Sequence, residues 1–241
     1  MLERVVAVAR AAADLVGGCD VVVATDDKRI ADHAREIGVE ATLTATDLNS
    51  GSARAYAAAK LRAIAPDIVI NLQGDAPFIS PAIVAGLIET LRTSDADVAT
   101  PVYQLDWERL DRLRKHKLAA PFSGTTCIRA AQGQALWFSK TILPALRDEA
   151  NLRQASSLSP VWQHLGLYGY RMAALEWFAS AQSGHYEQLE GLEQLRFLEN
   201  GRTVATVAVA PPSHAISGID TPADLALAEE AIARLGDPFP A

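Results

Sequence analysis

The 241-residue sequence predicts an α/β fold, with a mostly parallel sheet, helices on both faces and a small antiparallel insertion. Three observations support this. Short apolar runs alternate with helical periodicity through the first hundred residues. Several of these runs end in polar residues, at the edge where open parallel sheets bind ligands. The alternation stops near residue 120, where two strand patterns flank Gly133 as in a hairpin. We expect one domain over 1–241, with its insertion at about 120–171.

Helical periodicity and capping residues place the predicted helices. The first is amphipathic, runs from Leu2 to Val16 and ends at Gly17. Ser80-Pro81 and Thr221-Pro222 each combine an N-cap with proline at the first helical position. The remaining predicted helices cover residues 28–37, 50–63, 81–92, 107–117, 173–182 and 187–199.

Short apolar runs place the predicted strands at 21–24, 39–42, 68–70, 98–102, 125–129, 134–138, 165–171 and 203–209. The run at 68–70 lies between Pro66 and Gly74 and is expected to be buried on both faces. His164 and Tyr168, four residues apart, are expected on one strand face. The polar residues 148–160 are expected to form a mobile loop.

Composition excludes several classes of protein. The net charge of −7 argues against a nucleic-acid partner, which requires a basic face. Cys19 and Cys127 have no companion at metal or disulfide spacing. No apolar run approaches the length of a membrane span, and the N-terminus has no signal-peptide pattern. We expect a cytoplasmic protein.

The stretch from Asn71 to Asp75 carries the clearest chemical signal. Gly74 lets the backbone pass close to a ligand, and Asp75 offers the hard anionic oxygen that Mg²⁺ prefers. The alternative is a simple turn that Asp75 caps. Ser50 and Gly51 open a helix whose free N–H groups suit a phosphate or carbonyl, with Arg54 nearby. The alternative there is a serine N-cap and a solvated arginine.

Other polar residues are less specific. Thr221 and Asp224 form a capping box, which leaves Asp220 without a capping role and available as a ligand. Asp26 or Asp27 is expected to cap the following helix. A lone histidine such as His164 is more often structural than catalytic. The acidic residues of the helix predicted at 187–199 are read as a solvated face.

Five segments, taken together, resemble the CMP-Kdo synthetases, the 3-deoxy-manno-octulosonate cytidylyltransferases of the nucleotide-sugar transferase α/β class. The segments are Asn71-Leu-Gln-Gly-Asp-Ala-Pro77, Ser50-Gly-Ser-Ala-Arg54, His164-Leu-Gly-Leu-Tyr-Gly-Tyr-Arg171, Leu192-Glu-Gln-Leu-Arg196 and Gly218-Ile-Asp-Thr-Pro-Ala-Asp-Leu225. The resemblance runs nearly end to end, and five motifs are far more specific than one.

The resemblance implies a reaction in which the anomeric hydroxyl of a sugar acid attacks the α-phosphate of CTP to give CMP-sugar and pyrophosphate. It also implies that this reaction serves lipopolysaccharide synthesis. It implies that Asp75 and Asp220 hold Mg²⁺ as the catalytic and metal residues. The residues implied for the nucleotide are Ser50, Gly51, Arg54, Gln73 and Gly74. Those implied for the sugar acid are His164, Tyr168, Glu193 and Gln194. It also implies a homodimer.

Three departures from the family pattern leave alternatives open. Ala76 stands where the family has glutamate, and Thr125-Thr126-Cys127 where it often has lysine, so an amino-substituted Kdo is a candidate substrate. The family also opens with a strand and a basic triphosphate loop ahead of the position of Met1. We expect the natural chain to begin upstream, since without that strand the strands at 21–24 and 68–72 would face each other across a gap. A non-catalytic binding module is the alternative to an active enzyme.

Overall fold

A computed structural model describes residues 1–48, 50–212, 218–219 and 221–236, except the side chains of Ala223 and Leu235. It forms two compact units. The first contains Met1–Ser94, Leu167–Ala179 and Pro212–Ala241, and the second contains Asp95–Gly166 and Ser180–Pro211. No helix of the described residues is long and apolar enough to cross a membrane.

The helices are α1 (Leu2–Leu15), α2 (Lys28–Glu36), α3 (Gly51–Lys60), α4 (Pro81–Thr93), α5 (Trp107–Ala119), α6 (Glu149–Ala155), α7 (Met172–Ser180), α8 (His185–Glu190), α9 (Gln194–Glu199) and α10 (Pro222–Leu235). The strands are β1 (Val22–Thr25), β2 (Glu40–Leu43), β3 (Ile68–Asn71), β4 (Val98–Asp106), β5 (Thr126–Arg129), β6 (Ala135–Ser139), β7 (Leu158–His164), β8 (Tyr168–Arg171) and β9 (Val204–Ala208).

Among the described residues of the first unit, β1 and β3 each pair along one edge. The strand β1 runs parallel to β2, and β3 runs antiparallel to β8 with Asn71 opposite Tyr168. A cavity of about 720 Å³ lies between β1 and β3, and α1 and α4 complete its wall. Ile68 and Ile70 line this cavity and are only half-buried, against the expectation of burial on both faces, and Val69 is half-buried as well.

In the second unit, β4 is paired on both edges. It runs parallel to β9 and antiparallel to β7. The strand β7 is followed by β5 and β6, which form the predicted hairpin around Gly133. Antiparallel strands can be joined by short turns, whereas parallel strands need a long crossover. The expected α/β fold is therefore present, but its sheet is parallel only at β1–β2 and β4–β9 among the described pairings within each unit.

The loop predicted at 148–160 is wrong, because these residues form α6 and the start of β7. Ion pairs account for the helix. Glu149 pairs with Arg153 one turn later at 2.7 Å and with Arg114 of α5 at 2.7 Å. The Arg153 guanidinium also lies 4.6 Å from the ring centre of Trp107. A polar segment is thus ordered by charge pairs and one cation–π contact.

Two predicted elements are each divided in the structure. The helix expected over 187–199 is broken at Gly191, whose φ of 63° ends α8 in the left-handed region. The strand expected over 165–171 is also wrong at its start. His164 ends β7, and Tyr168 begins β8. The two side chains therefore do not share one strand face.

Candidate active site

The turn after β3 brings two distant motifs together in the first unit. The N–H of Ala76 donates to the carbonyl of Gln73 at 3.2 Å, which closes a tight turn around Gly74 and Asp75. The N–H of Ile219 donates to the carbonyl of Asp75 at 2.9 Å. A Cβ added at Gly218 would lie 3.0 Å from Asp75 Oδ2, so a side chain there would crowd the carboxylate.

The start of α3 lies against the carboxyl end of β3. Ser50 is the N-cap, and its hydroxyl accepts from the N–H of Ala53 at 3.1 Å. A Cβ added at Gly51 would lie 3.0 Å from Asn71 Nδ2 and 3.7 Å from Gln73 Nε2. Of the residues predicted to bind the nucleotide, Gly51 at the start of α3 is thus brought next to Gln73. The absence of a side chain at Gly51 keeps this approach open.

Arg54 lies one turn further along α3 and has charged and polar partners. Its Nη2 donates to Asp26 Oδ2 at 2.9 Å, and its Nη1 donates to Thr44 Oγ1 at 2.6 Å. The solvated arginine considered as an alternative is therefore not observed. The capping of α2 belongs to Asp27, which accepts from the N–H of Arg29 at 2.8 Å. Hydrogen bonds from Arg29 lower the pKa of Asp27 to about 2.

The metal prediction rests on Asp75 and Asp220, and Asp220 lies outside the described residues. Among the residues that are described, no group of three or more His, Cys, Asp or Glu side chains is placed to hold a metal ion. Mg²⁺ is commonly held by one or two carboxylates together with water and substrate phosphates. The half-buried Asp75, with the narrow backbone of Gly218 against its carboxylate, fits that donor set.

In the second unit, His164 is a buried side chain with a defined partner. Its Nε2 lies 2.8 Å from Thr100 Oγ1, and its ring packs edge-on against Phe138 with centroids 5.1 Å apart. Burial lowers the pKa of His164 to about 3, and the charge of Lys140 acts in the same direction. His164 is therefore neutral at physiological pH and supplies a hydrogen-bonding group rather than a charge.

The other residues predicted to bind the sugar acid are found in both units. In the second unit, Glu193 and Gln194 lie where α9 begins. Gln194 is 2% exposed, and its Nε2 has no hydrogen-bond partner among the described residues. A buried amide without a partner carries a desolvation cost that a ligand can relieve. In the first unit, Tyr168 stacks on Tyr170 with ring centroids 5.9 Å apart.

Three residues near these groups were not predicted as site residues. Asn71 lies beside Gly51, Gly218 lies beside Asp75, and Asp26 pairs with Arg54. Asn71 and Asp26 were visible as polar residues at the ends of apolar strands, which is the relevant sequence signal. Gly218 begins one of the five segments that carry the family resemblance, but no local pattern predicts its contact with Asp75, which lies far away in the chain.

Comparison with known proteins identifies the family. Residues 1–204 match the sequence profile described as "Cytidylyltransferase". The chain belongs to the cytidylyltransferase family. One relative in this family is the 3-deoxy-manno-octulosonate cytidylyltransferase of Maricaulis maris, which is 40% identical over 241 aligned residues, covering 98% of this chain and 88% of the relative. The enzyme of the same description from Xylella fastidiosa strain M12 is 38% identical over 219 residues, covering 90% of this chain and 81% of the relative.

A solved structure agrees with these cytidylyltransferase relatives. It is CMP:2-keto-3-deoxy-manno-octonic acid synthetase complexed with CTP. Its TM-score is 0.80 at 29% sequence identity, and the match covers 96% of this chain and 88% of the other. The α/β fold predicted from the sequence is thus that of a known cytidylyltransferase structure.

Proposed function

We propose that this chain transfers a cytidylyl group from CTP to a 3-deoxy-octulosonate sugar acid. The anomeric hydroxyl of the acid attacks the α-phosphorus of CTP. The bond from that phosphorus to the bridging oxygen breaks, the hydroxyl proton is lost, and CMP-sugar and pyrophosphate are released. The proposal is supported by the family, by relatives described as 3-deoxy-manno-octulosonate cytidylyltransferases and by a structural neighbour complexed with CTP.

In this proposal the first unit receives the nucleotide. The N–H groups at the start of α3 and the Gln73 amide donate to it, and Arg54 supplies positive charge. Asp75 and Asp220 would hold Mg²⁺, which when bound neutralises charge on the phosphate oxygens. Phosphoryl transfer depends mostly on positioning and electrostatics, which these residues provide without covalent chemistry.

The sugar acid is assigned to His164, Tyr168, Glu193 and Gln194. The amide of Gln194 is the best supported of the four, because a hydroxyl or carboxylate oxygen would satisfy its buried Nε2. His164 would line the sugar site as a buried, neutral side chain held by Thr100. A related acid with an amino substituent remains part of the proposal, and a panel of both acids distinguishes them.

The proposal also covers compartment and assembly. We place the enzyme in the cytoplasm, where thiols such as those of Cys19 and Cys127 are kept reduced. We infer that it acts as a homodimer in lipopolysaccharide synthesis. Light scattering of the purified chain measures its mass and tests the dimer directly.

One observation carries the proposed function most directly: the Gly218–Ile219 backbone lies against Asp75. It joins the motif around Asp75 to the motif that contains Asp220. The test is pyrophosphate release from CTP and 3-deoxy-manno-octulosonate with Mg²⁺. We expect Asp75→Asn to reduce turnover on the order of 10²-fold or more, because it removes an anionic metal ligand.

Two further variants sharpen this test. Gly218→Ala should also reduce turnover, because its new Cβ would lie 3.0 Å from Asp75 Oδ2. Asp14→Asn is the matched control, since Asp14 is an exposed carboxylate on α1. Parent-like turnover in Asp75→Asn, or no pyrophosphate release from the parent chain with either acid, would contradict the proposal.

A further inference from the structure

The two acidic residues after β1 have different partners. Asp27 accepts from the N–H of Arg29 and from its guanidinium, so it is committed to the N-terminus of α2. Asp26 does not take part in that cap. Its Oδ2 instead accepts from Arg54 Nη2 at 2.9 Å, across 28 residues of sequence. Adjacent carboxylates therefore serve two different elements.

The environment of Arg54 fixes one edge of its guanidinium. Asp26 holds Nη2, while Thr44 Oγ1 and the carbonyl of Ala45 accept from Nη1 at 2.6 and 3.4 Å. The three acceptors come from the ends of β1 and β2, and the arginine comes from α3. A guanidinium carries five N–H donors. Among the described residues, none accepts from Arg54 Nε, so donors remain for a ligand.

The ion pair between Arg54 and Asp26 is partly shielded from solvent. The Arg54 side chain is 22% exposed and that of Asp26 is 36% exposed. A long arginine side chain samples many rotamers unless partners restrict it. The carboxylate of Asp26 both restricts the guanidinium and compensates its charge until an anionic ligand arrives. Such pre-organisation reduces the entropy lost on binding.

We propose that Asp26 is a positioning residue for the nucleotide: it holds the guanidinium of Arg54 beside the start of α3, where the phosphates or ribose of CTP are received. This inference rests on the proposed function. Asp26 acts through Arg54 and does not itself touch the nucleotide. Its effect is therefore on nucleotide affinity and disappears when Arg54 is absent.

The test is calorimetric titration of CTP into the full chain and its variants. Asp26→Ala should raise the Kd for CTP about tenfold, the effect of losing one charge-assisted hydrogen bond. Asp26→Asn keeps an acceptor oxygen and should weaken binding less. In an Arg54→Ala background, adding Asp26→Ala should change the Kd for CTP no further, because a residue that acts only through Arg54 has no effect once Arg54 is removed.

A matched control uses Asp32→Ala. Asp32 pairs with Arg35 at 2.7 Å on the exposed side of α2, so the same kind of pair is removed elsewhere in the unit. It should leave the Kd for CTP unchanged. Melting temperatures of all variants separate loss of stability from loss of affinity, because a purely structural Asp26 would shift melting without shifting Kd.

The outcomes distinguish the two proposals. If the parent chain binds no CTP, the proposed function fails and the role of Asp26 fails with it. If the parent binds CTP and Arg54→Ala weakens binding, but Asp26→Ala binds as the parent does or more tightly, only the role of Asp26 is overturned. Additive effects in the double variant would likewise show that Asp26 acts independently of Arg54.

Discussion

His164 shows how one buried side chain couples pH to stability. Its pKa is lowered by burial from 6.5 to about 3. Between these two values the unfolded chain binds more protons than the folded chain. The stabilising contribution of a neutral His164 is therefore complete above pH 6.5 and is lost as the pH falls, by up to about 1.4 kcal/mol per pH unit.

We predict that His164→Asn flattens this dependence. Urea unfolding of the parent at pH 6.5, 5.5 and 4.5 should show a falling free energy of unfolding, and the variant should show a slope smaller by about 1 kcal/mol per pH unit. His116→Asn, which changes an exposed histidine on α5, should keep the parental slope. An unchanged slope in His164→Asn would show that His164 accepts a proton in the folded protein.

At the scale of elements, the pair α8 and α9 is held by a nearly buried ion pair. Arg196 Nη2 and Nε donate to the two carboxylate oxygens of Glu187 at 2.5 and 2.7 Å, and the side chains are 12% and 8% exposed. Glu199 also accepts from the N–H of Glu187 at 2.9 Å. These contacts fix the helices on either side of the Gly191 turn, from which Gln194 follows.

We predict that Arg196→Met lowers the free energy of unfolding by about 3–5 kcal/mol, because it leaves the Glu187 carboxylate buried without its cation. Urea denaturation measures this. Arg112→Met removes a cation from an exposed pair with Glu108 on α5 and should leave the unfolding midpoint unchanged. Equal midpoints for the parent and Arg196→Met would mean that the Glu187 carboxylate is well solvated without its partner.

At the scale of the whole molecule, sequence patterns predicted those features that depend on residues close together in the chain. The caps at Ser80 and Thr221 and the hairpin around Gly133 are confirmed. Helix α6 was missed because its order depends on Arg114 of another helix, a contact that periodicity does not reveal. The breaks at Gly166 and Gly191 had a visible signal, since glycine interrupts both patterns, but apolar spacing outweighed it.

In the candidate site, too, residues in local motifs were predicted, whereas contacts between distant parts of the chain were not. The residues around Asp75 and at the start of α3 were found because each motif is local, and Gly51 and Gln73 do lie together. The contact between Gly218 and Asp75 and the pair between Asp26 and Arg54 depend on tertiary structure alone. The gap expected beside the strands at 21–24 and 68–72 has a counterpart in the cavity between β1 and β3.

That cavity has a kinetic consequence. Backbone amides exchange hydrogen with solvent when local opening breaks their bonds, and strands paired on one edge open more easily than strands paired on both. Each of β1 and β3 has a cavity along one edge, whereas β4 is bonded to β7 and β9. Deuterium uptake followed by mass spectrometry should therefore be fast in Val22–Thr25 and Ile68–Asn71 and slowest in Val98–Val102. Uptake in β3 as slow as in β4 would contradict this order. The protein would thus have two dynamic strands at the edge where the nucleotide is expected, and a more protected strand, β4, in the other unit.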